Sequence, residues 1–333
     1  MGAKNQEMII WAVDPFEQSD QLVASAVSAL RNFSFLGWSI QPVYVLTPNQ
    51  LNLASDFVEY ASFSVALAYK PAAKKALQEL LSHVSLPGIL PGEVLALDSP
   101  SSQASAEALS KFAQKLKAKV IFTSSHARSG LGRFLLGSFS ETLLYKSEVP
   151  VLVVHPHLAH QESGVTHSIR NIFFPTDFGP NSEMMFREAV QLAKIFDAKL
   201  TLFHSVPHPI EPVLQSGVYL LGGGWMPIQN YLGNEVEKSK RRAQAWARWA
   251  KSQKKVEVES RIHVDGGSVA DLILSIVKNQ DFDLIAMAAQ SGPVALALLG
   301  SVTRQVVRHA SCPVWVLRES KAENKRSKKV QAA

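Results

Sequence analysis

The chain has 333 residues, of which 47% are hydrophobic and 19% charged, with a formal net charge of +6 and a single cysteine. That length is long for one domain and comfortable for two, each able to bury its own core. No apolar run reaches the roughly 20 residues that cross a bilayer, and the lone Cys312 excludes an internal disulfide. The opening MGAKNQEMIIWAVD has too short an apolar run and too early an acid for a secretory signal, so the expectation is a soluble, cytoplasmic protein.

In the first half, Met8 to Val13 reads as a buried strand ending at Asp14, and Pro15 breaks it. Gln21 to Leu30 has helical spacing and Ile40 to Leu46 is β-branched and apolar, which gives a β-α-β crossover. Leu51 to His83 reads as mostly helical, interrupted at Pro71. Glu93 to Leu97 is a third strand, Ala104 to Lys117 a helix, Val120 to Ser124 a fourth strand, Gly137 to Tyr145 a helix and Val151 to Val154 a closing strand. The polar stretch HPHLAHQESGVT that follows, broken by proline and glycine, reads as a linker; the proline among its three histidines and the absence of a fourth ligand weigh against a metal site.

The second half repeats the scheme. Ile172 to Pro175 is a strand, Ser182 to Phe196 a helix and Lys199 to Ser205 a strand, and Val206 to Gly233 reads as a long loop. Asn234 and Glu237 suit an N-cap and capping box for a helix carrying Lys238, Lys240, Arg241, Arg242, Arg248, Lys251, Lys254 and Lys255. Because Val236, Ala243, Trp246, Ala247 and Ala250 keep helical spacing between these cations, the reading is an apolar stripe on a sheet and a basic face in water. A nucleic-acid or membrane surface is the less favoured alternative. Val256 to Val264, Val269 to Lys278 and Leu284 to Met287 follow as strand, helix and strand. The expected division is a first domain at 1–157, a linker at 158–167, a second domain at 168–319 and a basic tail at 320–333, each domain a doubly wound five-stranded parallel sheet.

The halves are copies. Asp14 and Asp177, Gly137 and Gly300, Ser138 and Ser301, and Pro150 and Pro313 all pair at an offset of 163. In an open α/β sheet a ligand sits beyond the carboxyl ends of the strands, where neighbouring connections diverge. The residues that belong there are Val13 and Asp14, or Pro175, Thr176 and Asp177, together with the Gly-Ser pair that opens each later helix. Gly-Ser at a helix start offers free N–H groups, a hydroxyl and the positive end of the dipole to a phosphate; it serves equally as a plain cap. Asp14 and Asp177 likewise suit either ligand contact or capping. No G-x4-G-K-[S/T], G-x-G-x2-G, H-E-x2-H or G-x-S-x-G motif is present, so the expectation is a protein that is not an enzyme.

FFPTDF at Phe173 to Phe178, AKLTLFH at Ala198 to His204, the LLGS turns and the closing CPVWVL strand resemble the universal stress protein family, and the two copies cover nearly the whole chain. The resemblance implies an adenine nucleotide alpha hydrolase-like fold and two halves packed as an internal pseudo-dimer through their fifth strands, with further homo-oligomers allowed. It also implies a stress-response binding protein that holds ATP or a related adenine nucleotide, with no metal beyond the Mg that accompanies ATP. Nucleotide-binding members carry G-x2-G-x9-G-[S/T] after strand four. Here Gly137 and Ser138, with Ser140 beyond, keep the end of that motif, whereas Ser124 and Ala127 replace its first two glycines and Arg128 supplies a cation that could pair with phosphate. The second half keeps Gly300, Ser301 and Thr303 but has Met287 and Gln290 at the matching spacing, and Pro293 removes a backbone donor. Its Pro175, Thr176 and Asp177, and Ser205 after the strand-two histidine, match the adenosine side. The nucleotide site is thus expected in partly degraded form, better kept in the first domain. The competing reading is an interaction module without nucleotide, which meets an unknown protein partner through the basic helix or the 206–233 loop.

Overall fold

The computed structural model describes residues 7–16, 20–48, 65–125, 137–155, 168–179, 181–207, 217–219, 225–289 and 299–318. The chain divides into two compact units, one within Met1–His167 and one within Ser168–Glu319.

In the first unit the apolar runs become parallel strands. β1 (Met8–Ala12), β2 (Ser39–Leu46), β3 (Glu93–Ala96), β4 (Val120–Ser124) and β5 (Val151–Val154) lie in the order β5-β4-β1-β2-β3. Every adjacent pair is parallel. Burial of β2, β4 and β5 is nearly continuous rather than alternating, as expected where helices cover both faces of a sheet. The connecting helices are α1 (Asp20–Ser34), α2 (Val65–Ser82), α3 (Ser102–Lys115) and α4 (Ser138–Lys146). α3 and α4 pack on each other, and right-handed crossovers place them on the face opposite α1 and α2.

Pro71 does not interrupt the helix as its chemistry suggested; α2 runs through it. The lost N–H bond is outweighed because Ala73 and Leu77, four residues apart, bury against Tyr44, Leu46 and Val94, with Tyr69 and Leu81 extending the stripe. The part of the predicted segment before Val65 lies outside the described residues.

The second unit repeats the order as β10-β7-β6-β11-β12, all parallel, from β6 (Asn171–Pro175), β7 (Lys199–Pro207), β10 (Val258–Asp265), β11 (Leu284–Ala288) and β12 (Val314–Leu317). Its helices are α5 (Ser182–Phe196), α6 (Ile228–Trp249), α7 (Val269–Asn279) and α8 (Ser301–His309). The described part of Val206 to Gly233 is not simply loop. β8 (Gly217–Tyr219) and β9 (Trp225–Pro227) form an antiparallel pair, and α6 begins immediately after them. Asn234 and Glu237 are therefore helix-interior residues, not a cap and capping box. The helix extends through Gly233, where an added Cβ would meet nothing within 4 Å; one exposed glycine costs only about 1 kcal/mol.

The cations of α6 lie where amphipathic spacing places them. Ala243 and Ala250 are buried, and the Trp246 ring stacks on Phe186 at 4.9 Å. Lys238 and Lys240 are exposed and pair with Glu235 at 3.4 Å and Glu237 at 3.0 Å. No described helix is long and apolar enough to cross a membrane.

Candidate functional site

At the carboxyl ends of β1 and β4, where the crossovers leave in opposite directions, the first unit holds a cavity of about 300 Å³, near the lower end of the range for small-molecule sites. Five of the expected residues line it together: Val13, Asp14, Ser124, Ser138 and Ser140. Leu22, Val23 and Ala26 of α1 close one side, and hydroxyls of Ser102, Ser105 and Thr123 join those of Ser138 and Ser140 on the other. Asp14 is the sole charged lining residue among those described. Ala127, Arg128 and His126 lie outside the described residues.

Local chemistry explains each position. Val13 continues the ladder past β1 by donating its N–H to the Val43 carbonyl at 3.1 Å. Asp14 then turns the chain, its Oδ1 accepting the Phe16 N–H at 2.9 Å. Gly137 is the N-cap of α4 in extended conformation and contributes no side-chain cap, so among the described residues no cap side chain competes with an anion for the first-turn N–H groups. The start of α3 stands beside it, because Ser102 Oγ donates to Ser138 Oγ at 3.3 Å. Unlike α4, α3 is capped: Ser101 Oγ accepts from Gln103 and Ala104.

Ser140 is buried, and its hydroxyl is engaged with Thr123 Oγ1 at 3.0 Å and the Ser124 carbonyl at 3.4 Å. It moors α4 to β4. The second unit has the same mooring, Thr303 Oγ1 donating to the Ala288 carbonyl at 2.9 Å. Ala288, and not Met287, therefore matches Ser124. The ladder agrees, since Ser125 N donates to Val154 and Ala289 N to Leu317. The connection before Gly300 is one residue shorter than its counterpart, so counting at a constant offset misplaced the match. Gln290 and Pro293 lie outside the described residues.

In the second unit, two of the residues expected on the adenosine side, Thr176 and Asp177, bond to their own turn. Pro175 is the buried last residue of β6. Thr176 Oγ1 accepts from Phe178 N at 3.1 Å, and Asp177 Oδ1 accepts from Gly179 N and Ser182 Oγ, both at 2.8 Å. Phe178, at φ 55° and 8% exposed, turns inward against His204 at 4.8 Å and Trp246 at 5.0 Å. Arg242 Nη1 donates to the Phe178 carbonyl at 3.2 Å. His204 Nδ1 meets the Thr176 carbonyl at 2.8 Å, so that nitrogen carries the proton; burial holds the His204 pKa below its ordinary value. Ser205 is buried and its hydroxyl has no hydrogen-bond partner among the described residues. Gly300 is the N-cap of α8, again without a side-chain cap, its N–H donating to Ala289 at 3.0 Å; Ser301, the first residue of α8, is exposed.

Among the lining residues that escaped the sequence reading are Tyr44 and Val45 of β2 and Thr47 just past it. The ladder bonds Val13 N to Val43 O and Thr176 N to Phe203 O align Tyr44 with His204 and Val45 with Ser205. The spacing has slipped by three residues here relative to β1, which hid the match. The signal that could have found it is the AKLTLFH strand itself, aligned by strand position and not by offset.

A second depression, of about 650 Å³, lies at the opposite, amino ends of β6, β7 and β10. Its charges largely satisfy one another: Arg261 pairs with Glu259 at 2.6 Å and Lys251 with Glu257 at 3.5 Å. Among the described residues no group of His, Cys, Asp and Glu could hold a metal ion.

Comparison with known proteins follows the duplication. The sequence model of the universal stress protein family matches residues 7–155 and again 168–318. A universal stress protein of Methanocaldococcus jannaschii is 28% identical over 162 residues, covering 46% of this chain and 85% of the relative. Among solved structures, a universal stress protein from Archaeoglobus fulgidus covers 95% of this chain and 99% of its own, with a TM-score of 0.55 at 16% identity. A protein of unknown function from Pseudomonas aeruginosa covers 99% of this chain and 98% of its own, with a TM-score of 0.56 at 12% identity. At these identities the two structures speak for the fold alone. The chain belongs to the universal stress protein family, with one copy of the family domain in each half.

Proposed function

We propose that this protein is a cytoplasmic stress-response binding protein whose first unit holds ATP or a related adenine nucleotide, and that it acts by binding and not by turnover. The observation that carries the reading is the cavity at the switch point of β1 and β4. It gathers Val13, Asp14, Ser124 and Ser138 around an α4 start that has no side-chain cap. Its apolar walls suit a base, and the serine side with the open helix start suits phosphate oxygens. Any Mg would arrive with the nucleotide. The second unit is the poorer site, because Thr176 and Asp177 are engaged locally and Phe178 turns inward beside His204.

Thermal unfolding with added ATP tests this. At 100 times its dissociation constant, a ligand that binds only the folded state adds about 2.7 kcal/mol, a visible rise in melting temperature. A melting curve that ATP leaves in place over a wide concentration range would remove the nucleotide reading. That result would favour the second reading, an interaction module, which the exposed Lys238 and Lys240 of α6 support.

A further inference from the structure

We infer that the Tyr44 hydroxyl is a ligand-directed hydrogen-bond donor, by which the first unit's cavity selects the uncharged nucleoside half of its ligand. The inference rests on the reading that this cavity takes an adenine nucleotide.

Tyr44 lines the cavity and is 3% exposed, yet its hydroxyl is buried with no hydrogen-bond partner among the described residues. Leaving such a group unmet is costly, and the second unit shows that the position can be satisfied internally. There the aligned residue, His204, gives its Nδ1 proton to the Thr176 carbonyl. Where the second unit has an internally bonded imidazole, the first has a longer side chain whose polar end has no protein acceptor among the described residues.

The ring is not free to swing away. It packs with Leu46, Ala73, Leu77 and Val94 and meets the Phe16 ring edge-on at 5.7 Å. Burial and the Asp14 carboxylate both push the phenol pKa up, so the group stays protonated and offers one O–H. What completes it is an acceptor lone pair. A phosphate oxygen is a poor candidate so near the Asp14 charge, because like charges repel; an uncharged ring nitrogen or ribose oxygen carries no such penalty.

Titration calorimetry of the full chain with adenosine and with ATP, on wild type and Tyr44→Phe, tests the assignment, alongside melting of the ligand-free proteins. The expected result is about three- to tenfold weaker binding of both ligands by the variant, the worth of one neutral hydrogen bond. Its ligand-free melting temperature should be unchanged or higher, since a buried unmet hydroxyl has been removed. Equal affinities in the two proteins would overturn the inference while leaving the nucleotide reading intact. A lower ligand-free melting temperature would also overturn it, by showing that the hydroxyl serves the fold. If wild type binds neither ligand, the nucleotide reading falls and this inference falls with it.

Discussion

Asp177→Ala separates a structural role from a ligand role at the position that the two halves share. The wild-type carboxylate accepts two hydrogen bonds at 2.8 Å, from Gly179 N and Ser182 Oγ at the start of α5. The N-cap residue, Asn181, makes no side-chain cap bond; Asp177 instead ties the turn before α5 to the hydroxyl of the helix's first residue. Bonds to a charged acceptor are worth about 1.5–3 kcal/mol each when shielded. Asp177 is exposed, so water replaces part of each, and the expected loss is about 1–2 kcal/mol in all, similar to a lost N-cap. For a unit of this size each kcal/mol moves the midpoint by about 2–4 °C, so scanning calorimetry should show a drop of roughly 2–8 °C. The shift induced by ATP should be retained in full. In Asp14→Ala that shift should largely disappear, because Asp14 lines the cavity. An Asp177→Ala protein that melts like wild type but no longer responds to ATP would refute the reasoning.

Ser138→Glu places a carboxylate at the open start of α4, where the helix dipole tolerates it but a phosphate group does not; fluorimetric melting should stay within about 0.5 kcal/mol of wild type while the ATP response is lost. Gly88 sits at φ +75°, and an added Cβ would lie 2.7 Å from the Trp38 carbonyl oxygen; Gly88→Ala should cost about 2–3 kcal/mol, read from urea unfolding midpoints. His204 gives a pH signature. Burial lowers its folded-state pKa, so below the ordinary value of about 6.5 the unfolded chain takes up a proton that the folded chain refuses. Its contribution is therefore intact above that pH and is lost as the pH falls further. The fall in melting temperature between pH 7.5 and 5.5 should be shallower in His204→Asn than in wild type.

Much of this architecture could be read from the residues. Buried parallel strands announce themselves as short apolar runs, and β4 and β5 carry the expected bounds. The misses have physical causes. β8 and β9 are three residues each, too short for any period to register. Gly233 resembled a boundary, although Pro227 was the better marker, since its missing N–H is no loss just ahead of a helix. Pro71 is carried inside a helix by the burial of Ala73 and Leu77. At the site, Val13, Asp14, Ser124, Ser138 and Ser140 converge on one cavity, but Tyr44 was invisible because its polar counterpart, His204, stands at a different spacing from its own first strand. A single repeat length cannot follow two copies whose connections have changed length independently.

The mooring of α4 and α8 has a practical corollary. Because Ser140 and Thr303 each fasten a helix to the carbonyl at a strand end, neither helix depends on a bound molecule for its position. A laboratory wishing to install a new specificity should leave those two hydroxyls alone, together with the buried Ser125, Ala289 and Leu299.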